Sequence, residues 1–375
     1  MKILHLCSYY VGAKVYRNLF EALAARKEVL AQNVFIPIRD IVQVNNNKTE
    51  ESGIELYYVR CLGWATRVSF LIKVLALRYA FKRYQFRSNA LDSCDVVHAH
   101  TLYSDGYLAY LINRVYGIPY VITVRTTDVS LFEKYLPHWR VLTKRVIKNA
   151  RCLIFLSHGH RAQIEKAYKG GLPKIVFVPN GIDEYWVRHA LLRKDRRDVS
   201  GKSAIYVGDI TLNKNIEKAI YAFFATQYAG EARFTVLGGT YQTYRRVYAD
   251  LPSELLNRTI FIERTEDKGL IREYLRGSDI LIMPSKMETF GLVYLEAVSQ
   301  CTPVVYSKGQ GIDGLYPEGY IGYNCDPNDL MSIAAAVQRT IEAFPRGIDF
   351  TARMANPVGD FSWADTASKL LDEVY

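Results

Sequence analysis

Two acidic residues, Glu288 and Glu296, stand eight positions apart in the string PSKMETFGLVYLEAVSQCTPVV (Pro284–Val305), which follows the apolar run DILIM. A helix starting near Phe290 or Gly291 would turn its first amides and its dipole toward the loop that carries Glu288, and such a helix start is a ready site for a diphosphate. One to two turns on, Glu296 can point back at the same pocket, where a carboxylate is suited to grip a vicinal diol such as a ribose. The plainer alternative is a pair of solvent-facing acids that stabilise a helix start. Lys214, after the strand AIYVG, reads by itself as a solvated charge. Arg125, after YVITV, offers either a bidentate phosphate contact or an ion pair with Asp128. His98 and His100 flank Ala99 at a strand end and are expected to point to opposite sides of it; a satisfied core histidine is the alternative, and it suits His98 better. Gly12 lies between the first strand and a helix, next to Ala13 and Lys14, where a lone glycine usually marks only a turn. No G-x-G-x-x-G follows a strand, which removes the main support for a dinucleotide oxidoreductase, and no D-x-D sits in a plausible metal loop. Six scattered cysteines without a C-x-x-C pair argue against a zinc cluster and a disulfide framework, and they are expected to be buried thiols.

These residues sit after short apolar, β-branched segments: KILHLC, NVFIP, LYYV, DVVHAH, PYVITV, CLIFLS and KIVFVP, with helical stretches between them. That alternation predicts an α/β fold with a parallel sheet covered on both faces. After a charged stretch at 188–202 it restarts with SAIYVG, RFTVLGG, TIFIE, DILIMPS, TPVVYS and YIGYN, which predicts a second doubly wound domain and a hinge near 181–202. The last segment, from Phe361, has a helical period with Ser362 as its N-cap and Trp363, Ala367, Leu370 and Leu371 on one face. Open parallel sheets bind ligands beyond the carboxyl ends of their strands, so the loops after these strands, and a cleft between two such sheets, are where chemistry is expected.

The chain has 375 residues and a net charge of +10, unevenly spread. Residues 1–180 carry 26 Lys and Arg against 12 Asp and Glu, and the remainder 22 against 26, so one half is basic and the other mildly acidic. Between Glu55 and Asp92 lie Arg60, Arg67, Lys73, Arg78, Lys82, Arg83 and Arg87 with no acid, interleaved with apolar residues from Phe70 to Phe86. Such a segment can lie on an anionic membrane, or bury its apolar face in the first domain and let its cations snorkel. Nucleic acid is not an expected partner, because no recognised binding motif accompanies the charge. No apolar run is long enough to span a bilayer and the start has no signal-peptide core, so a cytoplasmic protein is expected, with a peripheral place on the inner face of the cell membrane as the variant.

The spacing PS-x-x-E-T-F-G-L-V-x-L-E-A-V-x-x-x-x-P-V-V resembles the signature of retaining family 4 glycosyltransferases of the GT-B fold, including its E-x7-E pair. DVVHAHT at 95–101, YVITVRTTD at 120–128, PNGID at 179–183 and YVGDITLNKNIEKAIYAF at 206–223 stand in that family's order and approximate spacing. The resemblance implies two facing Rossmann-like domains with a cleft between them: residues 1–182 for the acceptor and 183–360 for the nucleotide-sugar, with the helix at 361–375 packing back on the first. It implies that Glu288 contacts donor-sugar hydroxyls, that Glu296 holds the ribose, that the backbone of Phe290, Gly291 and Leu292 binds the diphosphate together with Lys214, and that His100 helps shape the anomeric centre. Gly12 would approach the donor, although the family often has two glycines there. The family usually carries an arginine about five residues before the lysine, where this chain has Asp209; Arg125, at a position where many relatives have histidine, is the candidate to compensate, and Arg264 the weaker one. The implied reaction moves a sugar from a nucleotide-sugar to a hydroxyl of a glycan or lipid-linked acceptor, with retention, no cofactor and no obligatory metal, the leaving phosphate itself taking the acceptor proton. A polysaccharide or lipid-linked oligosaccharide pathway is the setting the resemblance suggests. A nucleotide-sugar epimerase or hydrolase on the same fold, or a non-catalytic membrane- or nucleic-acid-binding relative, are the competing readings; the loops at 39–53 and 101–107, expected on the acceptor side, carry no legible pattern.

Overall fold

In a computed structural model the described residues are 1–88, 90–128, 139–168, 170–194, 201–228, 230–352 and 356–375. They form two compact units: Met1–Leu156 with His160–Gly181 and Trp363–Tyr375, and Ile182–Ser362 with Ser157–Gly159. Part of the stretch expected as a hinge, 195–200, lies outside the described residues.

The first unit is built on a seven-stranded sheet of order β3-β2-β1-β4-β5-β6-β7. Its strands are β1 (Lys2–Leu6), β2 (Ala31–Ile38), β3 (Ile54–Arg60), β4 (Val96–Ala99), β5 (Tyr120–Val124), β6 (Cys152–Phe155) and β7 (Lys174–Phe177), each parallel to its neighbours. Period-two alternation sends Leu4 and Leu6 into one core layer and Ile3 and Cys7 into the other, so both faces are apolar, as a parallel sheet needs when helices cover both sides. The helix Trp363–Glu373 lies in this unit, with Ala367 and Leu370 in the second layer and Lys174 Nζ donating to the Glu373 carbonyl at 2.6 Å.

The second unit has a six-stranded parallel sheet of order β10-β9-β8-β11-β12-β13. The strands are β8 (Ser203–Val207), β9 (Arg233–Leu237), β10 (Thr259–Ile262), β11 (Ile280–Ile282), β12 (Val304–Ser307) and β13 (Gly322–Cys325). In each sheet the order reverses once, between β1 and β4 and between β8 and β11. There the loops after the two strands diverge and leave a crevice at the carboxyl edge, the place where open α/β sheets hold ligands. Gly12 and His100 belong to the loops at the first reversal, Lys214 and Glu288 to those at the second.

After the first helix, α1 (Lys14–Ala24), the basic stretch forms the next two, α2 (Trp64–Val68) and α3 (Phe70–Ser88). One side of α3 buries Val74, Leu77, Ala80, Phe81 and Tyr84. Yet Trp64 stays 79% exposed and Phe86 89%, with Leu71, Ile72, Leu75 and Tyr79 also exposed. The segment thus packs on the first unit and still presents apolar side chains among its cations.

Candidate active site

In the second unit the polypeptide leaves β11, crosses Met283–Gly291 and enters the helix Leu292–Ser299. Gly291 has φ 76°, and a Cβ there would sit 2.5 Å from the Tyr294 ring and 3.2 Å from Glu288 Cγ, so only glycine fits this corner. Tyr294 cannot yield, because it is buried and its hydroxyl donates to the Met283 carbonyl at 2.7 Å. The helix start carries no side-chain cap, which leaves its first amides for a ligand.

Glu288 is held on every side. Its amide donates to Gln310 Oε1 at 3.1 Å, its carbonyl accepts from the Gly311 amide at 3.0 Å, and its carboxylate accepts from Lys214 Nζ at 2.5 Å. Lys214 comes from the loop after β8, which Asn213 ties to Met287 by two hydrogen bonds of 2.8 and 3.1 Å, while Asn215 Nδ2 donates to the Pro284 carbonyl at 3.1 Å. The lysine is therefore fixed against the carboxylate and is not a solvated surface charge. Glu296, one turn into the helix, has other neighbours. Burial raises its pKa to about 7, the Asp183 carboxylate adds to the rise, and Lys268 opposes it. Lys268 also bonds Asp183 at 2.5 Å, and Asp183 caps the helix Glu184–Arg188 by accepting from the Tyr185 amide at 2.9 Å. The PNGID turn thereby supplies the carboxylate near Glu296, and the helix Lys268–Gly277 supplies the cation.

Asp209, at the position expected to hold an arginine, bonds Arg264 Nη1 at 2.7 Å. A guanidinium does reach the loop of Lys214, delivered from the segment after β10. Sequence separation hid this pairing of two residues 55 apart.

The first unit holds a row of buried polar side chains across four neighbouring strands. His5 on β1 stands opposite His98 on β4. Gln32 on β2 and Thr123 on β5 are their diagonal neighbours, opposite Ile3 and two residues beyond the partner of His98. His98 donates or accepts at Tyr375 Oη (2.5 Å) and Thr123 Oγ1 (2.8 Å). His5 Nδ1 meets His100 Nε2 at 3.1 Å, and His5 Nε2 meets Gln32 Oε1 at 3.1 Å. His98 and His100 do not diverge: their rings stack with centroids 4.1 Å apart, because residues two apart on an extended strand share a face. Burial depresses the pKa of all three histidines, that of His5 to about 3.

These three rings put nitrogens within 4.8 Å of one another, a spacing a metal could bridge. The donor set does not suit one. Both nitrogens of His5 and both of His98 are engaged by hydrogen-bond partners, leaving only His100 Nδ1 without a partner among the described residues.

Arg125 does not pair with Asp128 through its guanidinium. Asp128 accepts from the backbone amides of Arg125 (2.9 Å) and Tyr103 (3.4 Å), and burial raises its pKa to about 7. The Arg125 guanidinium instead stacks on Tyr16 at 4.7 Å, and its buried Nε has no hydrogen-bond partner among the described residues. Tyr16 also touches His100 edge-on at 5.4 Å, so Arg125 and His100 flank one ring. Gly12 closes the short turn Tyr10–Gly12, and a Cβ there would meet nothing within 4 Å. The fold does not demand glycine at that point. Asp105, absent from the sequence reading, accepts from the Ser8 amide at 3.2 Å and from its hydroxyl, and burial raises its pKa to about 6. A buried acid in the first turn of the helix Ser104–Tyr116 looks in sequence like any dipole-stabilising residue, so nothing singled it out.

Comparison with known proteins agrees with this architecture. Residues 39–185 match the family model described as Glycosyltransferase Family 4, and residues 188–346 the model described as Glycosyl transferases group 1. The chain is 28% identical over 288 residues to a glycogen synthase of Mycobacterium tuberculosis, covering 73% of this chain and 67% of that one. To the alpha-maltose-1-phosphate synthase of Mycolicibacterium smegmatis it is 25% identical over 319 residues, covering 76% and 80%. Among solved structures, sucrose-phosphate synthase from Thermosynechococcus elongatus superposes with a TM-score of 0.76 at 18% identity, covering 99% of this chain and 97% of the other. HepE of Anabaena, in complex with UDP and glucose, gives 0.65 at 17%, covering 99% and 98%. The chain belongs to the family 4 glycosyltransferases of the GT-B fold.

Proposed function

We propose that this glycosyltransferase moves a sugar from a nucleoside-diphosphate sugar to a hydroxyl of a glycan or lipid-linked acceptor, with retention at the anomeric carbon. The observation that carries this reading is the second unit's reversal point, where the uncapped helix start at Leu292, the paired Lys214 and Glu288, and Glu296 one turn further are set by a glycine corner that tolerates no side chain. In this reading the helix amides and Lys214 take the diphosphate, and fixed positive charge of that kind stabilises the leaving group without reorganising as it departs. Arg264, steered by Asp209, adds the guanidinium that the sequence leaves out at position 209; Arg125, whose guanidinium stacks on Tyr16, is a second cation for phosphate. Glu296 accepts from the ribose diol. Glu288 and His100 take sugar hydroxyls, and the departing phosphate takes the acceptor proton. No obligatory metal enters the reading, so the rate is expected to survive chelation by EDTA.

The HepE structure holds UDP and glucose, which makes UDP-sugars the first donors to try. A thermal-shift screen with UDP, GDP, ADP, dTDP and CMP tests the donor class, because a ligand of the folded state raises its stability by mass action. One diphosphate should raise Tm, and Glu296→Ala should abolish the rise; no shift from any of them counts against the donor site. Donor turnover followed by NMR of the product's anomeric proton then reads the stereochemistry. For the acceptor, α2 and α3 set Trp64, Leu71, Leu75 and Phe86 among Arg67, Arg78, Lys82, Arg83 and Arg87, which suits an anionic membrane face and an acceptor presented there.

A further inference from the structure

One polar atom in the buried row of the first unit has no hydrogen-bond partner among the described residues, and the chain of hydrogen bonds behind it decides its chemistry. That chain starts at Gln32. Its Nε2 donates to the Phe20 carbonyl at 2.9 Å, and a carbonyl can only accept, so the amide cannot turn over and its Oε1 faces His5. His5 Nε2 must therefore carry a proton to donate. The ring is buried and stacked on Phe20 at 4.2 Å, an environment that keeps imidazole neutral, so His5 Nδ1 is a bare lone pair. That lone pair accepts from His100 Nε2 at 3.1 Å, which places the single proton of His100 on Nε2 as well. His100 Nδ1 is left as a buried acceptor with no donor among the described residues. A buried acceptor that finds no donor in its own fold is suited to one from a ligand.

We propose that Gln32, acting through His5, is a positioning residue that locks His100 in its Nε2–H form, so that His100 Nδ1 accepts a hydrogen bond from a hydroxyl of the bound sugar. The proposal rests on the reading above that His100 meets the donor sugar. Its consequence is a polarity set two residues away from the ligand. Without Gln32, His5 can take its Nδ1–H form. The His5–His100 bond then reverses, the proton of His100 moves to Nδ1, and the nitrogen that should accept becomes a donor facing a hydroxyl. His98 takes no part, since Tyr375 and Thr123 already engage both of its nitrogens.

The test is proton-detected nitrogen NMR of the full chain labelled with 15N-histidine, which reports the protonated nitrogen of each of the seven histidines. In the wild-type protein His5 and His100 should both be protonated at Nε2. Gln32→Met keeps the length of the side chain and removes the acceptor; it should populate the Nδ1–H form of His100 and lower kcat/KM by about tenfold, the worth of one hydrogen bond. His5→Phe keeps the ring that stacks on Phe20 and should have the same two effects, which serves if the methionine variant does not fold. A wild-type His100 protonated at Nδ1 overturns the proposal, as does a tautomer that ignores both substitutions, or one that shifts without any change in kcat/KM. The spectrum needs no donor, so a failed relay and a failed assignment of sugar transfer are read separately.

Discussion

Glu288 and Glu296 share a motif but not an environment. The Glu288 carboxylate lies 2.5 Å from Lys214 Nζ, whereas burial, helped by Asp183, raises the pKa of Glu296 to about 7. A ribose diol donating to Glu296 favours its ionised form, so a nucleoside diphosphate binding at pH 6 must release a proton. Affinity is expected to rise as pH goes from about 5.5 to 7.5, by up to about tenfold per unit below the carboxyl's pKa, and then to level. Titration calorimetry at pH 6 in buffers of differing ionisation enthalpy measures the released proton; uptake, or no exchange, would remove Glu296 from the ribose site. The glycines make a matched pair of tests. Gly291→Ala forces a side chain into a left-handed corner against Tyr294 and should cost about 1–3 kcal/mol in denaturant unfolding. Gly12→Ala meets open space and should stay within about 0.5 kcal/mol of wild type. If a donor approaches there, that second variant loses kcat/KM while keeping its stability; unchanged kinetics would make Gly12 a turn residue and nothing more.

At the scale of elements, α3 combines both readings of its sequence. Its buried side explains why it docks, and its exposed side leaves Trp64 of α2 and Phe86 in solvent. Replacing both with alanine should leave Tm unchanged within a degree or two, since little is lost from the core. Sedimentation with anionic vesicles should fall several-fold, and it should fall for charge-neutral lysolipid-free controls not at all, because those should never have bound. Equal sedimentation of the variant and the wild type would return the segment to a purely structural role. The strands themselves were legible because fully buried parallel strands are short β-branched runs, and all thirteen segments read from the sequence carry a strand. The helix start near Gly291 was legible for the same kind of reason, as local chemistry written in consecutive residues, though the left-handed corner that admits only glycine was not. What pairs across strands was not. Gln32 meets His5 only through the β1–β2 register, Arg264 meets Asp209 only through the order β10-β9-β8, and the guanidinium of Arg125 turned to Tyr16 because backbone amides had already claimed Asp128.

At the scale of the whole molecule, two sets of buried titratable groups act against each other. Burial raises Asp105 to about 6 and Asp128 and Glu296 to about 7, so between about pH 4 and those values the folded state binds more protons than the unfolded chain, and stability falls as pH rises. Burial lowers His5, His98 and His100, so below their unfolded pKa of about 6.5 the unfolded chain binds more protons, and stability rises with pH. Across about pH 4.5–6 three groups push each way and the slopes offset. Wild-type Tm is therefore expected to vary little over that window and to decline slightly as pH passes from about 6.5 to 7, where the histidine contribution is fading and Asp128 and Glu296 still titrate. Asp128→Asn removes one acid while keeping an oxygen for the amide of Arg125. The balance should then tip, and Tm should climb with pH from about 4.5 to 6.5, each unbalanced group contributing at most about 1.4 kcal/mol per pH unit. Scanning calorimetry of both proteins over this range decides it. A wild-type Tm that already climbs steeply would mean that the buried acids are ionised in the fold, with Arg125 or Lys73 neutralising them, and the asparagine variant would then show the same slope as its parent.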